Sequence, residues 1–410
     1  MTTSPDLPSE AYAAALADLP GMGPARLVEL LRQVPPEVVW HRVLTGEVRR
    51  PERSPGLPAI GWRATWAEIA ARRDVIRRWR ATVTAGIQVA YLGGPNFPEL
   101  LVSDPEPAGV LFWLGDLGVL ARPRVAIIGT RQCTSYGRSV AAELGRDLAE
   151  CGVCVISGLA LGIDGAAHHG ALAAATGVGP LGVAASGVDT PYPRRHADLW
   201  RRVADAGAVI SETAPGQPAQ TWRFPARNRL IAGLARAVVV VESHASGGSM
   251  LTVAAAAERG IDVLAVPGPV NSPSSTGTNQ LLYEGLAPAR HAGDVLAALG
   301  DIRPWPPKAP PGRGANQAAQ RSTGTSRPVP QGGDRPEMAR GLRPTAGRAA
   351  HLDGPERRVL KSIDRTPTST SVIADRTGLP IGPLSVVLLH LEGLGLVRGE
   401  GTWWERCDAS

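Results

Sequence analysis

Short apolar segments alternate with amphipathic segments between residues 122 and 300, and this alternation restricts the possible folds more than any other feature of the sequence. The apolar segments read RVAIIG, VCVIS, LGVAAS, AVIS, AVVVVES and DVLAVPG, and helical patterns such as GRSVAAELGRDLAECG separate them. Strands that are apolar along their whole length are buried on both faces, as in a parallel sheet covered by helices. The alternation therefore predicts an α/β fold with a Rossmann-like, doubly wound parallel sheet.

The turn after the first strand, VAIIGTRQCTSYG, differs from a dinucleotide-binding turn. It lacks G-x-G-x-x-G, and Arg131 stands where a small residue would let a pyrophosphate lie close. An NAD-binding domain also needs an acidic residue at the end of the second strand, where this chain has Ser157. We therefore predict no dinucleotide cofactor, and no other cofactor is indicated.

The segments that follow the strands are rich in glycines, hydroxyl groups, helix starts and arginines. Ligands of such sheets bind outside the carboxyl ends of the strands, and these groups suit an extended phosphate-bearing ligand. Phe224 adds an aromatic face for a base, with Arg223, Arg227 and Arg229 beside it. On these residues alone, ordinary packing explains Phe224 equally well. No acid–base pair or nucleophile motif is present, so we predict no catalytic residues.

Composition divides the chain into a sheet region, a linker and two smaller folded regions. Residues 1–85 are predicted to form a helical domain like a SAM or helix–hairpin–helix domain, and residues 86–300 the Rossmann-like domain. Residues 301–350 are dense in Pro, Gly and Arg and are predicted to be a flexible linker. Residues 351–410 show the pattern of a winged-helix domain, with three helices and a short hairpin.

The two small domains contain features that suggest DNA contact and features that argue against it. In the N-terminal region, LPGMGPARL fits a glycine hairpin whose backbone amides could bind a phosphate, or a turn that only packs. The third helix of the winged-helix region has no arginine or lysine before Arg398, and it offers the apolar residues Ile381, Leu384, Val386, Val387 and Leu388. Base readout by this helix is therefore not expected, and packing or a protein contact is favoured.

Charge, cysteine and histidine patterns constrain the partners only weakly. The net charge of +6 and the pI of about 9.5 are compatible with a polyanionic partner, and equally with the arginine usage of a GC-rich genome.

Cys151 and Cys154 form a single C-x-x-C, which does not supply the ligands of a zinc site. His168 and His169 are adjacent in a helical pattern and point about 100° apart, so one should pack against the sheet. We predict no metal site.

The chain shows no membrane-spanning run and no secretion signal at its N-terminus, so we expect a cytoplasmic protein.

Taken together, the motifs closely resemble those of the DprA/Smf family of DNA-processing proteins. The motifs VAIIGTR, SGLALGIDGAAHHGAL, GVDTPYP, ISETAPG, FPARNRLIAGLA, SGGSMLT and VLAVPG occur in that order and spacing. The resemblance covers the whole predicted sheet domain, and helical and winged-helix modules also occur in the family. An ordered series of this kind is far more specific than any one of its motifs.

The resemblance implies a non-enzymatic protein of the bacterial cytoplasm that binds single-stranded DNA. Such a protein protects incoming DNA in natural transformation and homologous recombination, and it helps to load the RecA recombinase. It also implies a homodimer formed through the sheet domain. Carried over by motif, the implied DNA-binding residues are Gly129, Thr130, Arg131, Ser157, Gly158, Arg223, Phe224, Arg227, Asn228, Arg229, Ser246 and Gly247.

The chain departs from the family pattern at two places. The family has a lysine shortly before its F-P motif, whereas this chain reads AQTWRFP, so Arg223 is the candidate substitute. The segment SGGSMLT also carries one extra glycine, which a loop can absorb.

An enzyme of the lysine-decarboxylase-like phosphoribohydrolase group is the main alternative. That group shares the sheet and has the turn P-G-G-x-G-T-x-x-E, whose glutamate acts on the sugar. This chain has no carboxylate after its glycine turn until Glu258, three helical turns too late, which argues against hydrolysis.

Overall fold

The structure is a computed structural model of the chain. It describes residues 7–48, 65–175, 177–300, 354–363, 368–379, 384, 387–388, 390–392, 396–400 and 403–407. The chain divides into two compact units, Met1–Trp305 and Pro306–Ser410. The predicted linker at residues 301–350 lies outside the described residues.

A sheet of nine strands forms the centre of the first unit, in the order β1-β2-β6-β5-β4-β3-β7-β8-β9. The neighbours from β6 to β9 pair in parallel, and β1 and β2 add an antiparallel edge. This arrangement confirms the predicted α/β fold. The strands are β1 (Gln88–Tyr91), β2 (Val110–Gly115), β3 (Arg124–Ile128), β4 (Cys154–Ser157), β5 (Leu181–Val183), β6 (Ala208–Ser211), β7 (Ala237–Val240), β8 (Asp262–Ala265) and β9 (Ala287–Pro288).

Helices cover both faces of the sheet because successive side chains of each strand point to opposite sides. The helices that follow β3 are α7 (Ser135–Glu150), α8 (Ile163–Leu172), α9 (Ala197–Ala206), α10 (Arg223–Leu234), α11 (Ser249–Glu258), α12 (Thr276–Tyr283) and α13 (Ala292–Ala298). In β3, Val125 and Ile127 pack with residues of α7, α8 and α13, whereas Ala126 and Ile128 pack with residues of α10, α11 and α12.

The direction of strand addition reverses at β3. From β3 the chain adds β4, β5 and β6 on one side, and it then returns to add β7, β8 and β9 on the other side. In an open parallel sheet, such a reversal leaves a crevice at the carboxyl ends of the central strands. The segments that follow β3, β4, β5 and β7 are therefore the candidates for a ligand site.

The N-terminal helices pack onto the same unit as the sheet. Leu16, Trp40 and Trp66 share a core with Val89 and Phe112 of the antiparallel edge. The helices are α1 (Ser9–Ala17), α2 (Pro24–Leu31), α3 (Pro36–Leu44), α4 (Trp66–Ala71) and α5 (Val75–Thr84), followed by the short α6 (Glu99–Val102).

One buried carboxylate ties these helices to the sheet loops. Arg73 and Arg78 both donate to the Asp18 carboxylate, and Gln217 Nε2 donates to it at 2.7 Å. Gln217 belongs to the loop between β6 and α10. The glycine hairpin before α2 also packs, since Met22 is buried in the shared core.

The second unit contains α14 (Gly354–Ser362), α15 (Thr370–Thr377) and a small antiparallel sheet of β10 (Thr368–Ser369), β12 (Trp403–Arg406) and β11 (Val397–Glu400). Its core includes Leu384, Leu388 and Leu391. These side chains come from the segment predicted as the third helix, so their burial agrees with packing. Ile381 and Val386 lie outside the described residues.

Within the described residues, no helix is both long and apolar enough to cross a membrane.

Candidate functional site

The G-T-R turn after β3 is held in place from two sides. The amide of Thr130 donates to Glu242 O at 2.7 Å, and the carbonyl of Thr130 accepts from Ile163 N at 3.2 Å. Gly129 has no room for a side chain, since a Cβ there would lie 2.6 Å from Ile163 Cγ1 and 2.7 Å from Glu242 O. The clamped turn leaves the next residue, Arg131, exposed at the carboxyl edge of the sheet.

The N-terminus of α7, where a Rossmann fold binds pyrophosphate, holds a carboxylate of the protein itself. Glu242 is buried, and its oxygens accept from Thr134 N at 2.9 Å and from Thr134 Oγ1 at 2.6 Å. A Cβ at Gly137 would lie 2.3 Å from Glu242 Oε2. The partial positive charge of this helix end is therefore already neutralised, which agrees with the missing dinucleotide motif.

A cleft at the carboxyl edge of the sheet is lined by several of the predicted DNA-binding residues. It has a volume of about 70 Å³ and lies between the segments that follow β3, β4 and β5 and the start of α10. Its functional side chains and backbone come from Arg131, Gly158, Tyr192, Pro193, Phe224 and Arg227. The structure thus brings together Arg131, Gly158, Phe224 and Arg227, which the motifs place at separate points of the sequence.

Phe224 stands between a cation and a second aromatic ring. The guanidinium carbon of Arg131 lies 4.7 Å from the centroid of the Phe224 ring. On another side, the Tyr192 ring is 5.7 Å away and tilted by 54°. The Tyr192 residue is 46 % exposed, and Arg131 is also exposed. Because both neighbours are exposed, they can move away from the Phe224 ring when a planar ligand approaches.

The buried side chains of Arg227 and Asp164 both bond to Gly158, which lines the cleft. Arg227 is only 6 % exposed and donates to the carbonyls of Gly158 and Val183. The Asp164 carboxylate accepts from Gly158 N at 3.1 Å. Burial lowers the pKa of Arg227 to about 10, so the guanidinium keeps its charge at neutral pH. Burial also raises the pKa of Asp164, although the Arg227 charge opposes this shift.

Arg227 has one unused donor within this packing. Its Nε has no hydrogen-bond partner among the described residues. Gly158 must be glycine here, because a Cβ would lie 2.0 Å from Arg227 Nη1. Arg227 therefore acts mainly on the shape and charge of the Gly158 loop.

The other two arginines of this helix that the motif names, Arg223 and Arg229, do not line the cleft. Arg229 forms a bidentate ion pair with Glu212, with distances of 2.6 and 2.7 Å, and both side chains are nearly buried. Arg223 donates to Pro218 O at 2.6 Å and lies over the Trp222 ring. Arg223 borders a separate cavity beside the N-terminal helices.

Ser157 does not line the cleft either. It is the last residue of β4, has no exposed surface, and donates from Oγ to Ile127 O at 2.6 Å. Its hydroxyl therefore bonds to the neighbouring strand, β3.

Asn228, Ser246 and Gly247 form a second region next to α10. Asn228 Nδ2 donates to Gly248 O at 3.3 Å, which links α10 to the glycine loop after β7. Ser246 is exposed, and a Cβ at Gly247 would lie 2.7 Å from Ser243 Oγ. These residues do not line the cleft, although Asn228 lies one turn after Phe224 on the same face of α10.

The adjacent histidines behave as predicted, with one packed and one exposed. His168 is fully buried, and neither ring nitrogen has a hydrogen-bond partner in the described part of the chain. Burial lowers the pKa of His168 to about 3, so the ring is neutral. The described residues also hold no group of three or more His, Cys, Asp or Glu that could bind a metal ion.

Sequence reasoning overlooked Glu242 and Tyr192. Glu242 stands two residues after the end of β7, in AVVVVES, and Tyr192 lies in SGVDTPYP, the segment that follows β5. The sequence signals that could have identified them are a carboxylate and an aromatic ring in segments that follow strands. Their partners, the N-terminus of α7 and the Phe224 ring, became visible only in the fold.

Comparison with known proteins gives two family matches. Residues 88–300 match the family described as "DNA recombination-mediator protein A", and residues 343–400 match the "DprA winged helix domain". Two curated relatives are "Protein Smf" of Synechocystis sp. and "DNA processing protein DprA" of Bacillus subtilis. The first is 33 % identical over 75 % of this chain and 76 % of that protein, and the second is 35 % identical over 52 % and 72 %.

A solved structure agrees with these matches. The X-ray structure of DNA processing protein A (DprA) from Streptococcus pneumoniae superposes with a TM-score of 0.57 at 28 % identity. It covers 70 % of this chain and 96 % of that chain. The match supports the sheet architecture described above.

We predict that Gly137→Ala destabilises the protein by about 2 kcal/mol, because the new Cβ would overlap the Glu242 carboxylate. At a solvent-exposed helix position without such a clash, Gly→Ala stabilises the helix by about 1 kcal/mol. Urea unfolding of a double-mutant cycle with Glu242→Ala measures the effect. In the Glu242→Ala background the cost of Gly137→Ala should vanish, and an equal cost in both backgrounds would contradict this reading.

We also predict a pH-dependent stability term from His168. Its pKa is about 3 in the fold and about 6.5 in an unfolded chain, so the unfolded state binds the proton first as the pH falls. Between pH 7 and pH 5 the wild type should lose about 2 kcal/mol more than His168→Leu. Urea unfolding at both values tests this, with exposed His244→Gln as control. A wild-type pH dependence in His168→Leu would refute it.

Proposed function

Since the chain belongs to the DprA/Smf family of DNA-processing proteins, we propose that it binds single-stranded DNA at the carboxyl edge of its parallel sheet. The contact between Arg131 and Phe224 carries this proposal. A base can stack on the phenylalanine ring, and the exposed guanidinium can then bind the adjoining phosphate.

The electrostatics of the cleft support a polyanionic ligand. The exposed Arg131 and the buried Arg227 both place positive charge at the cleft, and Arg227 stays charged at neutral pH. The chain as a whole carries a net charge of +6. Glycine at position 158 keeps the floor free of a side chain, so a sugar–phosphate backbone can approach the loop closely.

The glycine loop after β7 extends this surface beyond the cleft. It is joined to α10 by the bond between Asn228 and Gly248. We assign Asn228, Ser246 and Gly247 to a neighbouring part of the DNA path. Gly129 and Thr130 shape the turn that presents Arg131, while Arg223 lies at the edge of the separate cavity.

The arrangement favours binding over catalysis. The carboxylates that follow β4 and β6, Asp164 and Glu212, accept hydrogen bonds from Gly158 N and from Arg229. The alternative of a phosphoribohydrolase needs a carboxylate next to the glycine turn. Here Glu258 ends α11, roughly 13 Å along the helix axis from its first residue. The geometry gives no support to the hydrolase alternative.

The finer parts of the proposal rest on the family resemblance. They are protection of incoming or processed DNA, loading of RecA in natural transformation or homologous recombination, and a place in the bacterial cytoplasm. A homodimer through the sheet domain is part of the same proposal. Exposed apolar side chains support such an interface, since Val270 and Tyr283 are 88 % and 87 % exposed.

We predict that the protein binds oligo-dT more tightly than duplex DNA of equal length, with an affinity that falls as salt rises. Arg131→Ala and Phe224→Ala should each weaken binding about tenfold, because a phosphate contact or a stacked base is lost. Fluorescence anisotropy of a labelled oligo-dT across a salt series measures this. Arg122→Ala, at the amino end of β3, is the control for Arg131→Ala.

Two results would contradict the proposal. One is equal affinity for single strands and duplex. The other is unchanged binding in both Arg131→Ala and Phe224→Ala while the control behaves like the wild type.

A further inference from the structure

The segment between β6 and α10, residues 212–222, forms turns but no helix or strand, and it leads directly into the helix turn that carries Phe224. We call it the β6–α10 loop. The amide of Phe224 donates to Thr221 O at 3.4 Å, so the position of the ring follows the end of this loop. A surface loop of this length moves unless other segments hold it. The contacts that hold the loop therefore decide how firmly the Phe224 ring is fixed.

Gln217 connects the β6–α10 loop to two other parts of the chain. Its side chain donates from Nε2 to Asp18 Oδ1 at 2.7 Å, and its carbonyl accepts from Gly187 N at 2.9 Å. Gly187 lies in the segment after β5 that also lines the cleft. A Cβ at Gly187 would lie 2.8 Å from Ala214 O and 3.0 Å from Gly216 N, so the two segments pack backbone to backbone. One glutamine thus ties both segments to the N-terminal helices.

Asp18 is itself held by two arginines. The residue is only 7 % exposed, and Arg73 and Arg78 both donate to its Oδ2. Arg73 Nη2 also donates to the Asp18 carbonyl at 2.8 Å. These contacts leave Oδ1 for Gln217, and a hydrogen bond to an ionised acceptor is stronger than one between neutral groups. Gln217 therefore meets an acceptor that is charged and fixed in one orientation.

Packing alone does not hold this part of the loop against the helices, because cavities lie on this boundary. One cavity of about 200 Å³ is lined by α1, by α5 and by the loop at Pro215. Another, of about 50 Å³, is lined by Met22 on the helical side and by Trp222 at the end of the loop. Among the described residues, the bond from Gln217 to Asp18 is the one hydrogen bond between helices α1 to α5 and the β6–α10 loop.

We propose that Asp18 is a positioning residue for single-stranded DNA binding, which acts on the Phe224 ring through Gln217. The N-terminal helices then contribute to binding without touching the strand. Because the loop is fixed before DNA arrives, less entropy is lost when a base stacks on the ring. This inference rests on the proposed function.

The charge of Asp18 also reaches the start of α10. Burial lowers the pKa of Arg223, the residue before Phe224, and the Asp18 carboxylate opposes this shift. The carboxylate therefore acts on this segment through its field as well as through the Gln217 bond.

The first test removes the loop side of the bond. Gln217→Ala should weaken oligo-dT binding about fivefold, because an untied loop must be ordered when a base stacks. Asp18 keeps both arginines in this variant, so the helical region stays folded. Fluorescence anisotropy measures the affinity, and urea unfolding checks that the variant is folded under the binding conditions.

The matched control is Gln88→Ala, on the antiparallel edge of the sheet. Gln88 Nε2 also donates to another segment, at 3.3 Å from Gly115 O, and the residue does not line the cleft. This variant should bind oligo-dT like the wild type.

The second test asks whether the effect passes through the ring. In a Phe224→Ala background, Gln217→Ala should cost no further affinity, because the ring that it positions is already gone. A strand of abasic sites offers no base to stack, so the wild type and Gln217→Ala should bind it equally. A fivefold loss in the Phe224→Ala background, or on the abasic strand, would show that the loop acts on DNA by another route and would overturn the inference.

The third test removes the acceptor. In Asp18→Asn the remaining oxygen is taken by Arg73 and Arg78, so the amide meets Gln217 with a second donor and the bond is lost. Asp18→Asn should weaken binding about as much as Gln217→Ala, and the double variant should be no weaker than either. Losses that multiply in the double variant would show that Asp18 does not act through Gln217.

The outcomes separate this inference from the proposed function. If Arg131→Ala and Phe224→Ala weaken binding while Gln217→Ala matches the wild type, the cleft binds DNA without help from the helices and the inference is wrong. An equal loss in Gln88→Ala would show an effect unrelated to Asp18, which also overturns it. If the wild-type protein fails to bind oligo-dT, the proposed function and this inference fail together.

Discussion

The Glu242 carboxylate accepts hydrogen bonds from the amide and hydroxyl of Thr134 at the N-terminus of α7, and the site depends on this contact. The same residue uses its carbonyl to hold the amide of Thr130. A helix N-terminus attracts anions, and here the chain supplies its own. The usual crevice position is therefore already occupied by a carboxylate, and the G-T-R turn is fixed so that Arg131 lines the neighbouring cleft, where we propose that phosphate binds.

The arginines of the site divide into buried arginines that are paired within the protein and an exposed arginine, because burying an unpaired charge is costly. A guanidinium that leaves water must be paired or hydrogen-bonded, and Arg227 and Arg229 meet this requirement through Asp164, backbone carbonyls and Glu212. Once satisfied in this way, they shape loops and keep the floor of the cleft positive. The exposed Arg131 keeps its donors for a ligand. An arginine-rich segment can therefore keep few arginines available to a ligand.

The parallel sheet could be predicted from the sequence because apolar strands alternate with amphipathic helices. Its carboxyl edge could be predicted as the binding edge because glycines follow the strands. The sequence did not predict which strand-end side chains face the cleft. Along α10, Phe224 and Arg227 are three residues apart and share a face, whereas Arg229 is five residues from Phe224 and lies about 140° around the helix. The pattern likewise does not show that the Ser157 hydroxyl donates to Ile127 O. Contacts between distant segments, such as those of Glu242 and Tyr192, leave no local pattern at all.

The central claim is that a single DNA strand lies across the Phe224 cleft rather than at the N-terminus of α7. Photocrosslinking tests this most directly, with an oligo-dT that carries one 4-thiothymine, followed by mass spectrometry of the joined peptides. The account predicts adducts on Phe224 or Tyr192, and on few residues elsewhere. Adducts confined to the N-terminus of α7, around Ser135 and Tyr136, or to the second unit would contradict it.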